Sequence, residues 1–362
     1  MSEEQPIRVA VPCRACLSGE DLDWLGDGRS VSLALDLPTT VEVLPDGPSG
    51  APERTDGDWP EQVWAFLGER LAGAAGPPPA VRVGSEAPAA SGLSSSTALI
   101  VALFRAFAQA VEEAGPDRTP DAVLVQWAYE FEFARFNGGG MDHLAVAEGG
   151  ALLIDGRERG LPVVRERLEF PEDWGVVVVD SGTRKNTADH IRTVRAQLAA
   201  GDPDLAAYRA EADRASGAAW AALRRRDHEA LGEAMSRAHA AMRDFQGMST
   251  PLLEELRALA LRSAALPLKL SGAGGGGSLV GVCPAADLPG VAARLADALR
   301  GPFPGARVIP ARAAPGSRSA RAGNRAGGSA RGRPAPPPGH GRGGLPIGRA
   351  GGGGRGGSPE GF

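Results

Sequence analysis

Long apolar runs are missing from this chain: it nowhere has the ~18 consecutive apolar residues that a membrane-spanning helix needs. The opening MSEEQPIRVAV is acidic and lacks a basic start followed by an apolar core, so no secretory signal peptide is expected and a cytoplasmic protein is. Cysteine is scarce, with only Cys13, Cys16 and Cys283. The C-x-x-C spacing of the first two suits redox and zinc sites, but zinc would need a second ligand pair and Cys283 has no companion. On a strand the two would point apart, and small buried side chains are the expected reading. No G-x-x-x-x-G-K-[ST] segment occurs, which excludes a P-loop.

Basic charge is also short where it would matter. The formal net charge is −5, yet residues 311–362 hold nine arginines against one glutamate, which leaves −13 on residues 1–310. An acidic body offers no basic face for nucleic acid, and neither nucleic acid nor a membrane is expected as a partner. The last 52 residues contain 17 glycines and almost no large apolar side chains. Burial cannot offset the ordering entropy of such text, so 311–362 is expected to be a disordered Gly/Arg/Pro-rich tail. RG-rich text can bind RNA; a passive tail fits the abrupt change of texture better. Nothing in the sequence sets an oligomeric state.

The remaining text is that of an ordinary globular protein, with 43% hydrophobic and 23% charged residues. Period-two alternation predicts strands over 6–12 and 30–45, and helical periodicity predicts helices over 59–73 and 121–136. The segment 97–115 is apolar on nearly all sides and reads as a central helix. GALLID, GVVVVD, SLVGVC and ARVIP read as strands, 187–265 as almost wholly helical, and 288–301 as a helix. The class is α+β in two domains, 1–172 and 173–310.

Three clusters carry chemistry. In EAPAASGLSSSTALIVALFRAF, residues 86–107, a loop of small residues feeds a long helix. Backbone N–H groups at a helix start form an anion site, and Ser94, Ser95 and Ser96 can cap the helix, ligate Mg²⁺ or touch phosphate. GAGGGG, residues 272–277, satisfies G-x-G-x-x-G but precedes a strand rather than a helix, so a dinucleotide reading fails. Something nevertheless approaches that backbone closely. In YEFEFARFNGGGMDHLAVAEGG, Glu130 lies near a helix end and Asp142 lies on a glycine-flanked turn, a pattern that suits one metal ligand and one base.

Together these regions resemble the GHMP kinases, and the galactokinase-like sugar kinase branch in particular. PAASGLSSSTAL is similar to the family's ATP-phosphate loop and KLSGAGGGGSLVGV to its third motif. VPCRACLSGEDLDWLGDG resembles the galactokinase opening, GGGMDHLAVAEGG its catalytic-aspartate segment, and QGMSTPLLEEL a turn of its relatives. The resemblance spans about residues 6–310. It implies a ribosomal-protein-like N-terminal domain with a left-handed β-α-β unit and a ferredoxin-like C-terminal domain, with the site between them. It implies ATP and Mg²⁺, with a monosaccharide as acceptor, phosphorylated at its anomeric hydroxyl. The implied ATP-binding residues are Pro88, Ser91, Gly92, Leu93, Ser94, Ser95, Ser96, Gly274 and Gly275. Ser96 and Glu130 would hold the metal, with Glu132 as the alternative acid. Asp142 and Arg14 would be catalytic, and Glu20, Asp23 and Asp180 would bind the sugar. Departures from the family pattern are Ala90 for a glycine, Asp21 for histidine, Leu22 for threonine, Trp24 for tyrosine and His143 for glutamine, which point away from a pocket tuned to galactose. A heptose or octose phosphate kinase, a mevalonate-type kinase and a non-catalytic sugar sensor are the competing readings.

Overall fold

A computed structural model of the chain describes residues 6–44, 58–71, 73–112, 118–184 and 187–315. Two antiparallel sheets are built, each covered by helices, inside one compact unit. In the first, β1 (Arg8–Ser18) pairs along its length with β2 (Arg29–Val43). Helix α1 (Trp59–Gly68) follows, and then β3 (Val81–Ser85), which pairs with one end of β2. Three helices come next: α2 (Ser95–Glu112), α3 (Asp121–Phe136) and α4 (Met141–Glu148). Strand β4 (Ala151–Asp155) pairs with the other end of β2, and β5 (Val163–Leu168) closes the sheet.

The second sheet holds β6 (Trp174–Asp180), β7 (Lys269–Ser271), β8 (Ser278–Pro284) and β9 (Arg307–Ala311) in the order β7-β8-β6-β9. Between β6 and β7 run α5 (Thr187–Ala200), α6 (Pro203–Arg225), α7 (His228–Gln246) and α8 (Pro251–Ala264). Helix α9 (Leu288–Leu299) joins β8 to β9. This strand order is the ferredoxin-like one, so the expected α+β class holds in both halves.

Helix α2 is central, as its composition predicts: Ile100, Val101, Leu103, Phe104 and Phe107 are buried around its circumference. Even its Arg105 is buried, paired with Asp121 at 2.8 Å. Alternation along β1 sends Cys13, Ala15 and Leu17 into the main core, whereas Cys16 joins Met141 and Ile154 on the other face. The three cysteines are free and buried. Burial holds the Cys13 thiol up at about 11 and the Cys16 thiol well above its ordinary range, so neither is a nucleophile.

Two expectations about the chain's course are corrected. GMDHLAVAE is a helix, not a turn, because Gly140 ends the glycine run and the following residues pack under β4. The ordered fold also does not stop at 310. Residues 312–315 leave β9 and pair with the first sheet: Asp36 N–H donates to Arg312 O at 2.9 Å, Ala314 N–H to Ala34 O at 2.9 Å and Gly150 N–H to Ala314 O at 3.0 Å. Backbone pairing here needs no large side chain, which is why composition misread it. Residues 316–362 of the expected tail lie outside the described residues. No helix among the described residues is long and apolar enough to cross a membrane.

Candidate active site

The loop before α2 is bent by two left-handed residues, Ala90 at φ +50° and Ser94 at φ +59°. A loop position that needs positive φ favours glycine, so Ala90 carries strain of about 1 kcal/mol. Gly92, at φ +77°, is required for a different reason: a Cβ there would stand 2.3 Å from Ser271 O. The phosphate loop is thereby pressed onto the third glycine motif. Ser278 N–H donates to Ser91 O at 2.8 Å, and Ser271 Oγ donates to Gly92 O at 3.1 Å. The first amides of α2 have no intrahelical acceptor and carry the positive end of its dipole.

Arg14 reaches this loop from β1. It is buried, with Nε 2.7 Å from Asp142 Oδ1 and Nη1 donating to Gly92 O at 2.7 Å. Ser94 Oγ donates to Asp142 Oδ2 at 2.6 Å, so this serine is committed to the carboxylate rather than to capping α2. The cleft walls desolvate Asp142 and oppose its ionisation. The Arg14 charge and the hydrogen bonds from Ser94 and Arg14 outweigh that, and its pKa lies below the usual carboxylate value. Asp142 sits in the first turn of α4, where the helix dipole also favours an anion.

Beside this pair opens a cavity of about 420 Å³. One end is acidic: Glu20, Asp21 and Asp23 all line it, as do Trp24 and His190. Tyr208 Oη of α6 donates to Glu20 O at 2.7 Å, and Ser30 Oγ donates to Gly19 O at 2.6 Å, which locks the turn. Asp21 is left-handed at φ +66°; its Oδ2 lies 2.7 Å from His190 Nε2 and its Oδ1 accepts from Trp24 Nε1 at 3.2 Å. Asp23 Oδ2 accepts from Met141 N–H at 2.9 Å, an approach that only glycine at 139 allows, since a Cβ there would lie 1.8 Å from that oxygen. Burial, only partly offset by that amide and aggravated by the charges of Asp142 and Asp21, pushes Asp23 up to about 7. Glu20 Oε1 is held by buried Lys269 and faces Gly272 N–H at 3.3 Å, whereas its Oε2 has no donor among the described residues.

Several expected site residues are placed elsewhere. Glu130 is exposed and accepts from Gln126 at 3.0 Å. Two positions along a helix turn a side chain by about 200°. Because Ala128 and Phe131 face the core, Glu132 is the acid on the cavity side of α3, accepting from Thr97 Oγ1 at 3.0 Å. Asp180 is buried outside the cavity wall and gripped by Arg184 at 2.7 and 3.0 Å. Pro88 and Leu93 do not line the cavity: Leu93 is in the core, and Pro88 O accepts from Ser91 Oγ at 2.7 Å. Gly274 and Gly275 do not line it either, and Gly275 N–H is taken by Met248 O at 2.6 Å; Gly272 and Ala273 face the cavity instead. Ser91, Gly92, Ser94, Ser95, Ser96, Arg14, Glu20, Asp23 and Asp142 do share the cavity. Thr97, His190 and Lys269 were missed in the sequence, because each matters through a partner 35 to 249 residues distant.

An anion cradle held against an ionised carboxylate and a guanidinium is the arrangement of an enzyme that transfers phosphoryl groups. Comparison with known proteins narrows the class. The GHMP kinases N terminal domain matches residues 61–150, and the GHMP kinases C terminal domain matches residues 219–304. Galactokinases of Mycobacterium bovis and Mycobacterium tuberculosis are 30% identical over 331 residues, spanning 77% of this chain and 89% of theirs. The structure of Lactococcus lactis galactokinase complexed with galactose aligns with a TM-score of 0.68 at 17% identity, over 86% of this chain and 95% of that one. L. major mevalonate kinase in complex with R-mevalonate aligns equally well, with a TM-score of 0.68 at 20% identity over 87% and 99%. The chain belongs to the GHMP kinase family. It is a small-molecule phosphotransferase, and the kinases of this family use ATP.

Proposed function

We propose that the protein is a cytoplasmic, Mg²⁺-dependent sugar kinase that phosphorylates the anomeric hydroxyl of a neutral monosaccharide. The observation that carries the acceptor class is Glu20, a cavity-lining residue whose buried Oε2 has no donor among the described residues. Buried polar atoms are nearly always satisfied, so a ligand hydroxyl is the natural donor. Charge supports the same choice. Glu20, Asp21, Asp23 and Asp142 converge there, while Arg14 is committed to Asp142, Lys269 to Glu20 and Arg184 to Asp180. Arg14 is the one Lys or Arg among the described residues that lines the cavity, so an acceptor bearing its own phosphate or carboxylate would meet like charges there, which disfavours the sugar-phosphate and mevalonate readings. Lys185, which stands next to Arg184 in the sequence, lies outside the described residues.

In this reading the amides of Gly92 to Ser96 and the α2 terminus hold the β- and γ-phosphates of ATP. Glu132, with Ser96 and Thr97 beside it, fits a divalent cation better than Glu130, since it is the acid that faces the cavity. Bound Mg²⁺ would neutralise phosphate charge. Asp142 aligns the acceptor hydroxyl and takes its proton as the hydroxyl oxygen bonds to the γ-phosphorus and the bond from that phosphorus to the bridging oxygen breaks, releasing ADP. Arg14 keeps Asp142 ionised and offsets charge on the transferring group. Glu20 and Asp23 accept from hydroxyls of the sugar and set its orientation.

An ADP-release screen over neutral sugars, sugar phosphates, mevalonate and homoserine, with NMR assignment of the product, tests this. A neutral sugar should give the highest kcat/KM and a 1-phosphate product. Asp142→Asn should lower kcat by at least ~10²-fold with ATP affinity retained. A charged acceptor as the best substrate, or an Asp142→Asn variant with most of its activity, would overturn the reading.

A further inference from the structure

One cavity-lining side chain has no part in the mechanism above. His143 follows Asp142 in α4, is 2% exposed, and meets Tyr129 edge-on at 5.7 Å. Neither of its ring nitrogens has a hydrogen-bond partner among the described residues. Its Nε2 lies 3.0 Å from Glu132 Oε2, yet without the alignment of a hydrogen bond. A buried imidazole without such a partner, its Nε2 at that spacing from a carboxylate oxygen that only Thr97 holds among the described residues, on two residues that line one cavity, calls for a further partner.

The spacing has a simple geometric meaning. Imidazole nitrogen and carboxylate oxygen each bind a divalent ion at ~2.1 Å, and two such ligands at a right angle stand ~3.0 Å apart, the edge of an octahedron. Ligands of a tetrahedral ion would stand ~3.4 Å apart instead. No group of three or more His, Cys, Asp or Glu side chains able to hold a metal occurs among the described residues. The protein would therefore supply these two as its imidazole and carboxylate donors, and the Ser96 hydroxyl, nucleotide phosphates and water the rest, a usual division for a nucleotide-bound cation. Thr97 Oγ1, donating to both Glu132 oxygens at 3.2 and 3.0 Å, fixes the carboxylate's orientation from behind.

We propose that His143 Nε2 joins Glu132 Oε2 as a ligand to an octahedral divalent ion, and that the nitrogen donor shifts this kinase's preference from Mg²⁺ toward first-row transition ions. Mg²⁺ is a hard cation that keeps oxygen ligands and water, whereas transition ions gain from imidazole. The inference rests on the reading of Glu132 as the acid that holds the nucleotide's cation. It needs no change in the chemistry of transfer, only in which ion fills the site most readily.

Mn²⁺ serves as the probe, because pulsed electron paramagnetic resonance detects a coordinated imidazole nitrogen directly. The full chain with Mn²⁺ and ADP should show nitrogen modulation, and the modulation should vanish in His143→Gln while Mn²⁺ and ADP remain bound. Mn²⁺ should bind the wild-type nucleotide complex at least ~10-fold more tightly than Mg²⁺, and His143→Gln should shrink that ratio several-fold. If Mn²⁺ and ADP bind the wild type without nitrogen modulation, the assignment of His143 is overturned while Glu132 keeps its role. If they do not bind as a complex at all, or bind unaltered in Glu132→Gln, the cation reading of Glu132 falls and this inference falls with it. The wild-type spectrum decides the matter even if the His143 variant does not fold.

Discussion

Asp23 offers the sharpest physical test, because its carboxyl is 4% exposed and lies between two other acids. Its pKa rises from 3.8 to about 7 on folding, driven first by burial and then by Asp142 and Asp21, against the opposing Met141 amide. Between about pH 4 and pH 7 the folded protein therefore holds a proton at Asp23 that the unfolded chain has lost. Stability falls as pH rises through that window, by up to ~1.4 kcal/mol per unit, and levels off above it. The whole window amounts to ~4 kcal/mol. Asp23→Asn keeps an oxygen for the Met141 N–H and removes the titration. Denaturant unfolding from pH 5 to 9 should show the variant gaining on the wild type as pH rises, with the gap saturating near pH 8. A second readout follows at the substrate. If the sugar donates to ionised Asp23, the acceptor KM should rise by up to ~10-fold per unit as pH falls below 7, and the slope should be absent in Asp23→Asn. A wild-type minus variant stability difference that is flat from pH 5 to 8 would refute the reasoning.

Glu132→Gln should raise the divalent-ion requirement and lower kcat by ~10²-fold, whereas Glu130→Gln should change neither by more than about twofold; the reverse pattern in a metal titration would invert the orientation of α3. Ala90→Gly should stabilise the protein by up to ~1 kcal/mol in thermal unfolding, since relief of the left-handed strain exceeds the added chain entropy, and a destabilised variant would contradict it. Deleting 318–362 should leave kcat/KM within about threefold, because a Gly/Arg/Pro-rich composition is not that of a core-forming segment. Ending the chain at 311 should cost ~2 kcal/mol, because it removes the pairing of 312–315 with Ala34, Asp36 and Gly150.

Much of the architecture is local and could be read directly. Hydrophobic period settles which segments are strands and which are helices: α3 begins and ends where its pattern does, and α2 is buried on all sides because it is apolar on all sides. The motif order, serine-rich loop before Asp142 before third glycine run, likewise stands in the linear text. What period cannot convey is direction at the ends of elements. Glu130 and Glu132 are equally acidic and equally helical, and only the packing of Ala128 and Phe131 decides that Glu132 faces the cavity. The pairing of Asp21 with His190 and of Glu20 with Lys269 spans 169 and 249 residues, so no window of sequence contains it. Asp180 sits at a strand end, as a ligand-binding acid would, yet Arg184 four residues on claims both of its oxygens. Ala90 stands where the family has glycine, and whether its methyl is tolerated turns on the backbone, which only the folded loop sets at positive φ. Composition and period, which are properties of neighbours in the chain, thus determined most of the elements and their order, though not α4 or the strands β3, β5 and β7. Which acids are ionised, which are committed and which remain open to a ligand was decided by the tertiary structure, because charge and burial depend on neighbours in space.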